Sequence, residues 1–409
     1  MIRLRMQRSV LLPAALLLPV VVFAFASCAE AEDSRPPEED PRSSVPEAGV
    51  EDARAPGDSA DGGCDASASD CVSELLSCEE APWCPVPTTV STRYALTSVW
   101  GSGKNDVWAV GSGGTIIHYD GAAWSRTPTP VKSTFRAVWG RSATDVWAVA
   151  MTDTIFHTTG FAGGAAEWTR VTDASEPYEA RAANAIWGSG AGDLRIGARA
   201  RSFYDPDTGE FPFVAQFTLG EDADGGVAWE AVRGEGTVLG FWGSSATDLW
   251  LVADNSERNG WEKGMIRHGT AAPKGGGLVW STVDSQSTMT LEGIWGSSAD
   301  DVWAVGEKGT IRRMTKGASR WAIVASPTTE ALHAIWGSAA NDVWAVGDAG
   351  TILHFDGASW KASSAAFALG KKPNLYGVWG SAANDVWIVG DSVSLHFTGP
   401  KPAGAGGGK

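Results

Sequence analysis

The feature that most constrains this chain is a stretch that it repeats. Residues 336–360 read WGSAANDVWAVGDAGTILHFDGASW, and close copies begin at residues 100 and 295. The Trp-Gly pair that opens each copy occurs seven times, 39 to 55 residues apart, at Trp100, Trp139, Trp187, Trp242, Trp295, Trp336 and Trp379. Units of this length cannot each bury an apolar face alone, so we expect them to pack together as parts of one repeat fold.

Each unit carries a second marker, an aspartate six residues after the tryptophan of the Trp-Gly pair. These residues are Asp106, Asp145, Asp193, Asp248, Asp301, Asp342 and Asp385. Another tryptophan follows two residues later in six units, whereas the third unit has Arg195. The DVWAVG segment is apolar on both faces, so as a strand it must be covered on both sides. Four short segments per unit, separated by Gly, Asn and Asp turn signals, predict an all-β, seven-bladed β-propeller of four-stranded blades over residues 80–400.

A third set of tryptophans predicts how the ring closes. Fourth strands begin near Trp124, Trp168, Trp229, Trp280, Trp321 and Trp360, but the seventh unit ends without one. Trp83 lies 17 residues before Trp100, and in the other units this gap is 13 to 19 residues. The segment around Trp83 is therefore predicted to be the outer strand of the last blade. Each buried tryptophan would remove about 150–250 Å² from water and wedge adjacent blades together.

The other repeated polar residues are interpreted as structural. We expect the recurrent aspartate to accept backbone N–H bonds in the turn before the second strand. A feature that recurs seven times is too regular to be one metal site. Five of the six histidines share the third strand, which favours packing over catalysis: His118, His157, His268, His354 and His396. The sequence therefore predicts no catalytic residue, no metal site and no cofactor.

Residues 1–27 have the pattern of an export signal, with three arginines before an apolar run and small residues at its end. A transmembrane anchor is the alternative, because about 19 apolar residues nearly span a bilayer. Pro13 and Pro19 favour cleavage instead. The sequence FASC ending at Cys28 resembles the bacterial lipobox, although phenylalanine stands where leucine is usual. The resemblance implies a lipid on Cys28 that anchors an exported protein, and Ala29 after it favours the outer membrane, on its periplasmic or cell-surface face.

The acidity of the chain is concentrated near its N-terminus. Residues 29–82 hold 16 acids and 3 arginines, a charge of −13 out of a total of −16. Residues 28–63 lack aromatic residues and periodicity, so we predict a disordered, self-repelling tether, with a flexible tail at 401–409. The acidic balance argues against a nucleic-acid-binding surface.

Residues 64–84 form a cysteine-rich segment that leads into the predicted closing strand. It contains Cys64, Cys71, Cys78 and Cys84. Outside the cytosol, an even set at close spacing predicts two disulfides, and all three pairings are open. A zinc site would require CxxC-like spacing, which is absent.

Function is sought where the repeats break. The longest insertions lie around residues 199–213 and at 255–264, and the second contains the only one of 21 tryptophans that has no repeat position. Second-to-third and fourth-to-first loops share one face of a propeller. Aromatic and basic residues suited to protein or glycan contacts are predicted to form a patch there: Tyr178, Arg181, Arg258, Trp261, Lys371, Lys372 and Tyr376. Ordinary loop decoration is the alternative interpretation.

The turn Asp356-Gly357-Ala358-Ser359-Trp360 resembles the Asp-box, or BNR, repeat, which lies between the third and fourth strands of a propeller blade. The motif is shortened here and is clear only near Trp124 and Trp360. The WG…DVWAVG pattern resembles the tandem propeller repeats of secreted bacterial proteins and surface lipoproteins. Sialidases, which are enzymes with Asp-boxes, use an arginine triad and a tyrosine nucleophile, and their FRIP-type arginine signature is missing.

Three functions remain open. The favoured one is a monomeric, lipid-anchored and non-catalytic interaction module that binds an envelope or extracellular protein or polysaccharide. A glycoside hydrolase or lyase is the second, and it would need a carboxylate pair at the ring centre. An envelope assembly factor is the third, by analogy with photosystem assembly propellers that resemble this repeat. The sequence shows no non-repeating cluster of acids on the inner strands, and this favours the first function.

Overall fold

The computed structural model describes residues 75–151, 154–171, 182–190, 193–202, 209, 213–221, 227–234, 236–255, 263–273 and 277–401. The predicted signal, Cys28, the tether, Cys64, Cys71 and most of the C-terminal tail lie outside these residues. Within the described part, no helix is long and apolar enough to cross a membrane.

The described residues form 28 strands. In chain order the first half are β1 (Trp83–Pro85), β2 (Leu96–Gly103), β3 (Asp106–Gly111), β4 (Thr115–Tyr119), β5 (Trp124–Arg126), β6 (Phe135–Ser142), β7 (Asp145–Ala150), β8 (Thr154–Thr158), β9 (Thr169–Val171), β10 (Ala183–Trp187), β11 (Arg195–Ser202), β12 (Phe213–Glu221), β13 (Val227–Arg233) and β14 (Thr237–Ser245). The second half are β15 (Asp248–Asp254), β16 (Met265–Ala271), β17 (Leu278–Val283), β18 (Leu291–Ser298), β19 (Asp301–Gly306), β20 (Thr310–Thr315), β21 (Ala322–Val324), β22 (Leu332–Ala339), β23 (Asp342–Gly347), β24 (Ile352–Phe355), β25 (Trp360–Ala362), β26 (Leu375–Ala382), β27 (Asp385–Gly390) and β28 (Val393–Phe397). Single 3₁₀ turns occupy Ser112–Gly114, Glu307–Gly309 and Asp348–Gly350.

These strands form seven antiparallel sheets of four strands, which confirms the predicted propeller. Blades 1 to 6 are β2–β5, β6–β9, β10–β13, β14–β17, β18–β21 and β22–β25, and blade 7 is β26–β28 with β1. The first strand of each blade contacts the first strand of the next, and β26 contacts β2, so seven inner strands surround a central channel.

The ring closes as the tryptophan spacing predicts. Strand β1 pairs with β28, with Trp83 opposite Phe397. The Trp83 side chain is fully buried and packs on Trp344 of blade 6 as well as on Phe397. Cys84 of β1 is bonded to Cys78, so one disulfide fastens the chain just before the closing strand. This bond resolves one pair among the four cysteines.

Adjacent blades are joined by tryptophan pairs, as predicted. The second-strand tryptophan of one blade meets the outer-strand tryptophan of the next edge to face: Trp108 with Trp168, Trp147 with Trp229, Trp250 with Trp321, Trp303 with Trp360, Trp344 with Trp83, and Trp387 with Trp124. The exception is the junction of blades 3 and 4, where Arg195 replaces the second-strand tryptophan. Burial there lowers the pKa of Arg195.

The recurrent aspartate has a different role from the one predicted. In blade 6, Asp342 Oδ2 accepts a hydrogen bond from the Ser338 hydroxyl, and Oδ1 lies 2.7 Å from His354 Nε2. The same histidine ring stacks on Trp344 at 4.1 Å. Equivalent Asp–His pairs occur in blades 1, 2, 4 and 7, and Arg313 replaces the histidine in blade 5. Among the described residues, only Asp193 of blade 3 accepts the predicted backbone N–H. In the other blades side-chain donors, a hydroxyl, an indole, an imidazole or a guanidinium, satisfy the carboxylate instead.

Replacing Asp342 by alanine is expected to destabilise the protein by about 1–3 kcal/mol, because the partly buried His354 loses its acceptor and the exposed Ser338 hydroxyl loses the same carboxylate. Urea unfolding, monitored by tryptophan fluorescence, measures this loss of stability. Asp300→Ala is the control, since Asp300 makes only an exposed ion pair with Lys316 and should cost at most about 1 kcal/mol. Equal losses for the two variants would contradict a structural role of the Asp–His pair.

Candidate functional site

Every inner strand contains a β-bulge at the same repeat position, three residues before the Trp-Gly tryptophan. The pairing with the second strand skips this residue in all seven blades. A bulge residue has no cross-strand partner, and bulges commonly redirect a side chain at the rim of a barrel or next to a site. The bulge residues are Thr97, Arg136, Asn184, Leu239, Glu292, His333 and Tyr376.

These seven side chains differ from one another, although the flanking positions repeat. All seven line a central cavity of about 920 Å³. That volume is within the range of ligand sites. The position just before the Trp-Gly tryptophan forms the apolar floor of this cavity, through residues such as Val138, Phe241, Ile294 and Ile335. We call this cavity the channel cup: a repeated aliphatic and aromatic floor under a rim of seven non-repeated side chains, six of them polar.

A second ring of rim residues comes from the turns between second and third strands. In blades 1, 2, 5, 6 and 7 the first residue of this turn donates its backbone N–H to the carbonyl of the residue before the inner strand, as Glu307 does to Thr290 and Asp348 to Ala331. Sharp turns hold these residues, with positive φ at Lys308 and Ala349. The backbone therefore fixes the turn residues at the edge of the channel cup.

His333 is the most strongly coupled group in the channel cup. Its Nδ1 lies 2.6 Å from Glu292 Oε2 of blade 5, and its Nε2 lies 2.7 Å from Asp348 Oδ1 of its own blade. Burial alone would lower the pKa of this imidazole, but the hydrogen bonds and charges of the two carboxylates outweigh it and raise the pKa to about 9. At neutral pH His333 is therefore a cation that joins blades 5 and 6.

Tyr376 of blade 7 extends this cluster. Its ring packs on His333 with centroids 5.2 Å apart. Burial, together with the charges of Asp391 and Asp348, raises the pKa of the phenol, while a hydrogen bond with Asn374 opposes this shift. The phenol is thus a neutral hydrogen-bonding group at physiological pH. Blades 5, 6 and 7 together form one continuous polar wall.

The predicted binding patch is placed only in part. Tyr376 lies in the channel cup, whereas Lys371 and Lys372 lie in the loop between β25 and β26 and do not line it. Tyr178, Arg181, Arg258 and Trp261 lie outside the described residues. The sequence analysis missed the other six bulge residues, because it followed the repeated letters. The signal was present: in LHAIWG and LYGVWG only the second letter changes its chemical character from blade to blade.

The sequence predicted no cluster of non-repeating acids on the inner strands, and in the described residues one acid on an inner strand lies near one acid from a turn. Glu292 lies on β18 and shares His333 with Asp348, so two carboxylates are near each other at the channel. Each of them already bonds an imidazolium nitrogen. A general acid and a general base each need a group that is free to exchange a proton with a substrate. The arrangement as it stands suits binding better than proton transfer.

The His333 cluster makes stability depend on alkaline pH. The unfolded imidazole has a pKa near 6.5 and the folded one about 9, so the stabilisation is complete below pH 6.5 and is lost as the pH rises through about 9. We expect the free energy of unfolding of wild type to exceed that of His333→Gln by about 1–3 kcal/mol at pH 6. This difference should shrink towards zero at pH 10. Urea unfolding at both pH values measures it. Parallel pH profiles of the two proteins would contradict a raised pKa.

The fold and the channel cup define a class: a seven-bladed β-propeller with one ligand-sized, non-repeating site on its axis. No protein-family model and no curated protein sequence matches the chain. Among solved structures it is similar to YCF48 bound to a D1 peptide, with 17% identity and a TM-score of 0.57, over 82% of this chain and 100% of that one. Two further similar structures are YCF48 from Cyanidioschyzon merolae (17% identity, TM-score 0.56, 78% and 99% covered) and virginiamycin B lyase from Staphylococcus aureus (14% identity, TM-score 0.57, 77% and 97% covered). At these identities the likeness shows the fold alone.

Proposed function

We propose that this protein is an exported, lipid-anchored β-propeller that acts as a non-catalytic interaction module at the cell envelope and holds a protein partner in its channel cup. The observation that carries the proposal is the ring of seven bulge residues. The repeat keeps its packing positions nearly constant, and the position before the Trp-Gly tryptophan is apolar in every blade, yet the bulge position, which also lines the cavity, differs in all seven blades. Packing does not require that variation, whereas recognition of one ligand does.

A protein is favoured over a polysaccharide by two features. The rim offers charged groups of both signs, Arg136 and the acids of blades 5 and 6, which suit side chains of a peptide. The floor is mainly aliphatic, whereas sugar rings are best held on flat, exposed aromatic faces. The similar fold of YCF48 was solved with a D1 peptide bound, so propellers of this shape do accept peptides, and an assembly role remains compatible with the proposal.

The proposal is tested by photo-cross-linking in the native cell. Benzoylphenylalanine placed at Leu239, which lines the channel cup, is expected to cross-link an envelope protein. The same group at Val279, which is exposed on the outer strand β17, is the matched control and should not capture that protein. Absence of a product specific to position 239 would contradict the proposal.

Carbohydrate cleavage is the second candidate, and the proximity of Glu292 and Asp348 favours it. The full chain is incubated with envelope polysaccharides while newly formed reducing or unsaturated ends are measured. If wild type releases such ends and Glu292→Gln does not, the protein is an enzyme and the proposed non-catalytic function is wrong. We expect no release.

The proposed anchor rests on the sequence of residues 1–28. Replacing Cys28 by serine removes the thiol to which a lipid would attach, so we expect the protein to move from the membrane fraction to the soluble fraction and to lose labelling by a palmitate analogue. Cys78→Ser is the control, because Cys78 forms the disulfide with Cys84 and carries no lipid. Unchanged labelling in Cys28→Ser would contradict lipidation and with it the resemblance to bacterial surface lipoproteins.

A further inference from the structure

Two charged groups of the channel cup have no ionic partner among the described residues. Arg136 is an exposed residue on β6, and no carboxylate pairs with its guanidinium in the part of the chain that the structure describes. Glu307 begins the turn after β19, and within the described parts of the chain its carboxylate accepts only the Thr290 backbone N–H at 3.3 Å. Each group therefore retains charge and hydrogen-bonding capacity for a ligand.

The other charges of the rim are already engaged. Glu292 and Asp348 share the His333 cation, and Asp391 interacts with the Tyr376 phenol. Arg199 and Asp254 also have partners. Among the rim residues that the structure describes, charge is thus available at Arg136 and Glu307.

These two places lie on opposite walls. The inner strands follow one another around the ring in chain order, so blade 2 is three steps from blade 5 in one direction and four in the other. No pair of blades in a sevenfold ring is further apart. The aliphatic floor, including Val138, Ile294 and Ile335, lies between the two walls.

We propose that the occupant of the channel cup is a dipolar peptide segment. An acidic side chain of the segment pairs with Arg136, a basic side chain pairs with Glu307, and an apolar side chain between them covers the floor. The inference rests on the proposed function and adds the partner's chemistry to it. A neutral glycan has neither charge, and an anionic glycan lacks the cation that Glu307 requires.

The charges determine specificity more than total affinity. A single partly exposed ion pair raises the affinity for a ligand about two- to fivefold, whereas two like charges placed next to each other lower it. Reversal of one wall should therefore alter the preference between two matched ligands by about tenfold or more. The preference is the informative readout, because a variant that merely loosens the fold lowers the affinity for all ligands together.

The test is selection of a displayed library of random dodecapeptides on the full chain, followed by affinity measurement of the selected peptides by fluorescence anisotropy. Wild type is expected to enrich sequences with an acid and a base on either side of an apolar residue. Arg136→Glu is expected to enrich sequences with two bases, and Glu307→Lys sequences with two acids. Arg126→Glu and Glu167→Lys reverse the same charges on the exposed outer side of blades 1 and 2 and should select as wild type does.

The outcomes separate this inference from the proposed function. Three outcomes would each contradict a dipolar segment. The selected peptides could lack a charge bias, wild type and both channel variants could select the same peptides, or no peptide could be enriched. The cross-link from position 239 judges the proposed function independently, because it depends on a partner reaching the channel cup and not on that partner's charges. A change of preference that follows the two substitutions would support the inference.

Discussion

Trp83→Ala is expected to cost about 3–5 kcal/mol of folding free energy, which is the range for removing a fully buried tryptophan. The loss should be large because Trp83 joins two distant parts of the chain. Its strand supplies the outer edge of blade 7, and its ring lies 4.9 Å from Trp344 of blade 6 and 5.0 Å from Phe397. Without the Trp83 side chain, β1 loses its aromatic contact with blade 6 and its aromatic contact within blade 7.

Thermal and urea unfolding of the variant measure this loss, and limited proteolysis before Val86 reports whether β1 detaches. Trp280→Ala is the matched control, since Trp280 occupies the same outer-strand position in blade 4 but is only half-buried. It should cost roughly half as much or less. A Trp83 variant that is no less stable than this control would contradict closure of the ring through β1.

Gly101→Ala is expected to destabilise the protein by about 1–3 kcal/mol through overpacking. A Cβ at this position would lie 2.5 Å from the Asp106 carbonyl oxygen and 2.7 Å from Cη2 of Trp379 in the neighbouring blade. The same relation recurs around the ring, because the glycine of every Trp-Gly pair faces the tryptophan of the preceding blade. The pair is thus one contact between blades: the indole occupies the space that the missing side chain leaves.

Gly103→Ala on the same strand is the control. A Cβ there meets nothing within 4 Å, so the change should be within about 0.5 kcal/mol. Both variants are compared with wild type by urea unfolding, followed by tryptophan fluorescence. If the two substitutions have equal effects, the Trp-Gly contact does not explain the repeat.

The sequence predicted the architecture well because the evidence is periodic. The seven Trp-Gly pairs, the apolar DVWAVG segments and the position of Trp83 each report packing that recurs in every blade. Packing between blades is local in a repeat fold, so it leaves the same mark in each unit. The repeated aspartate was found by the same means, but the predicted backbone N–H partner was wrong. In blade 6, for example, the third-strand histidine reaches the aspartate from another strand of the blade.

The candidate site could not be predicted in the same way. A bulge is a property of strand pairing, and the sequence of one strand does not show which residue its neighbour skips. Of the patch predicted from loops of unusual composition, Tyr376 lies on the inner strand β26 and lines the channel cup, whereas Lys371 and Lys372 do not line it. In the sequence, His333 is merely the one histidine outside the third-strand pattern. Its role becomes visible only in the ring, where Glu292 of the preceding blade lies next to its Nδ1.

The sequence by itself determined the number of blades, their four-strand composition and the closure of the ring, because repeated burial of tryptophan imposes a visible period. Only the tertiary structure decided where the candidate ligand site lies. The seven bulge residues are 39 to 55 residues apart along the chain, as their Trp-Gly pairs are, and they become one rim when the inner strands surround the channel. Their charges and hydrogen bonds therefore depend on the ring, and no single repeat contains them.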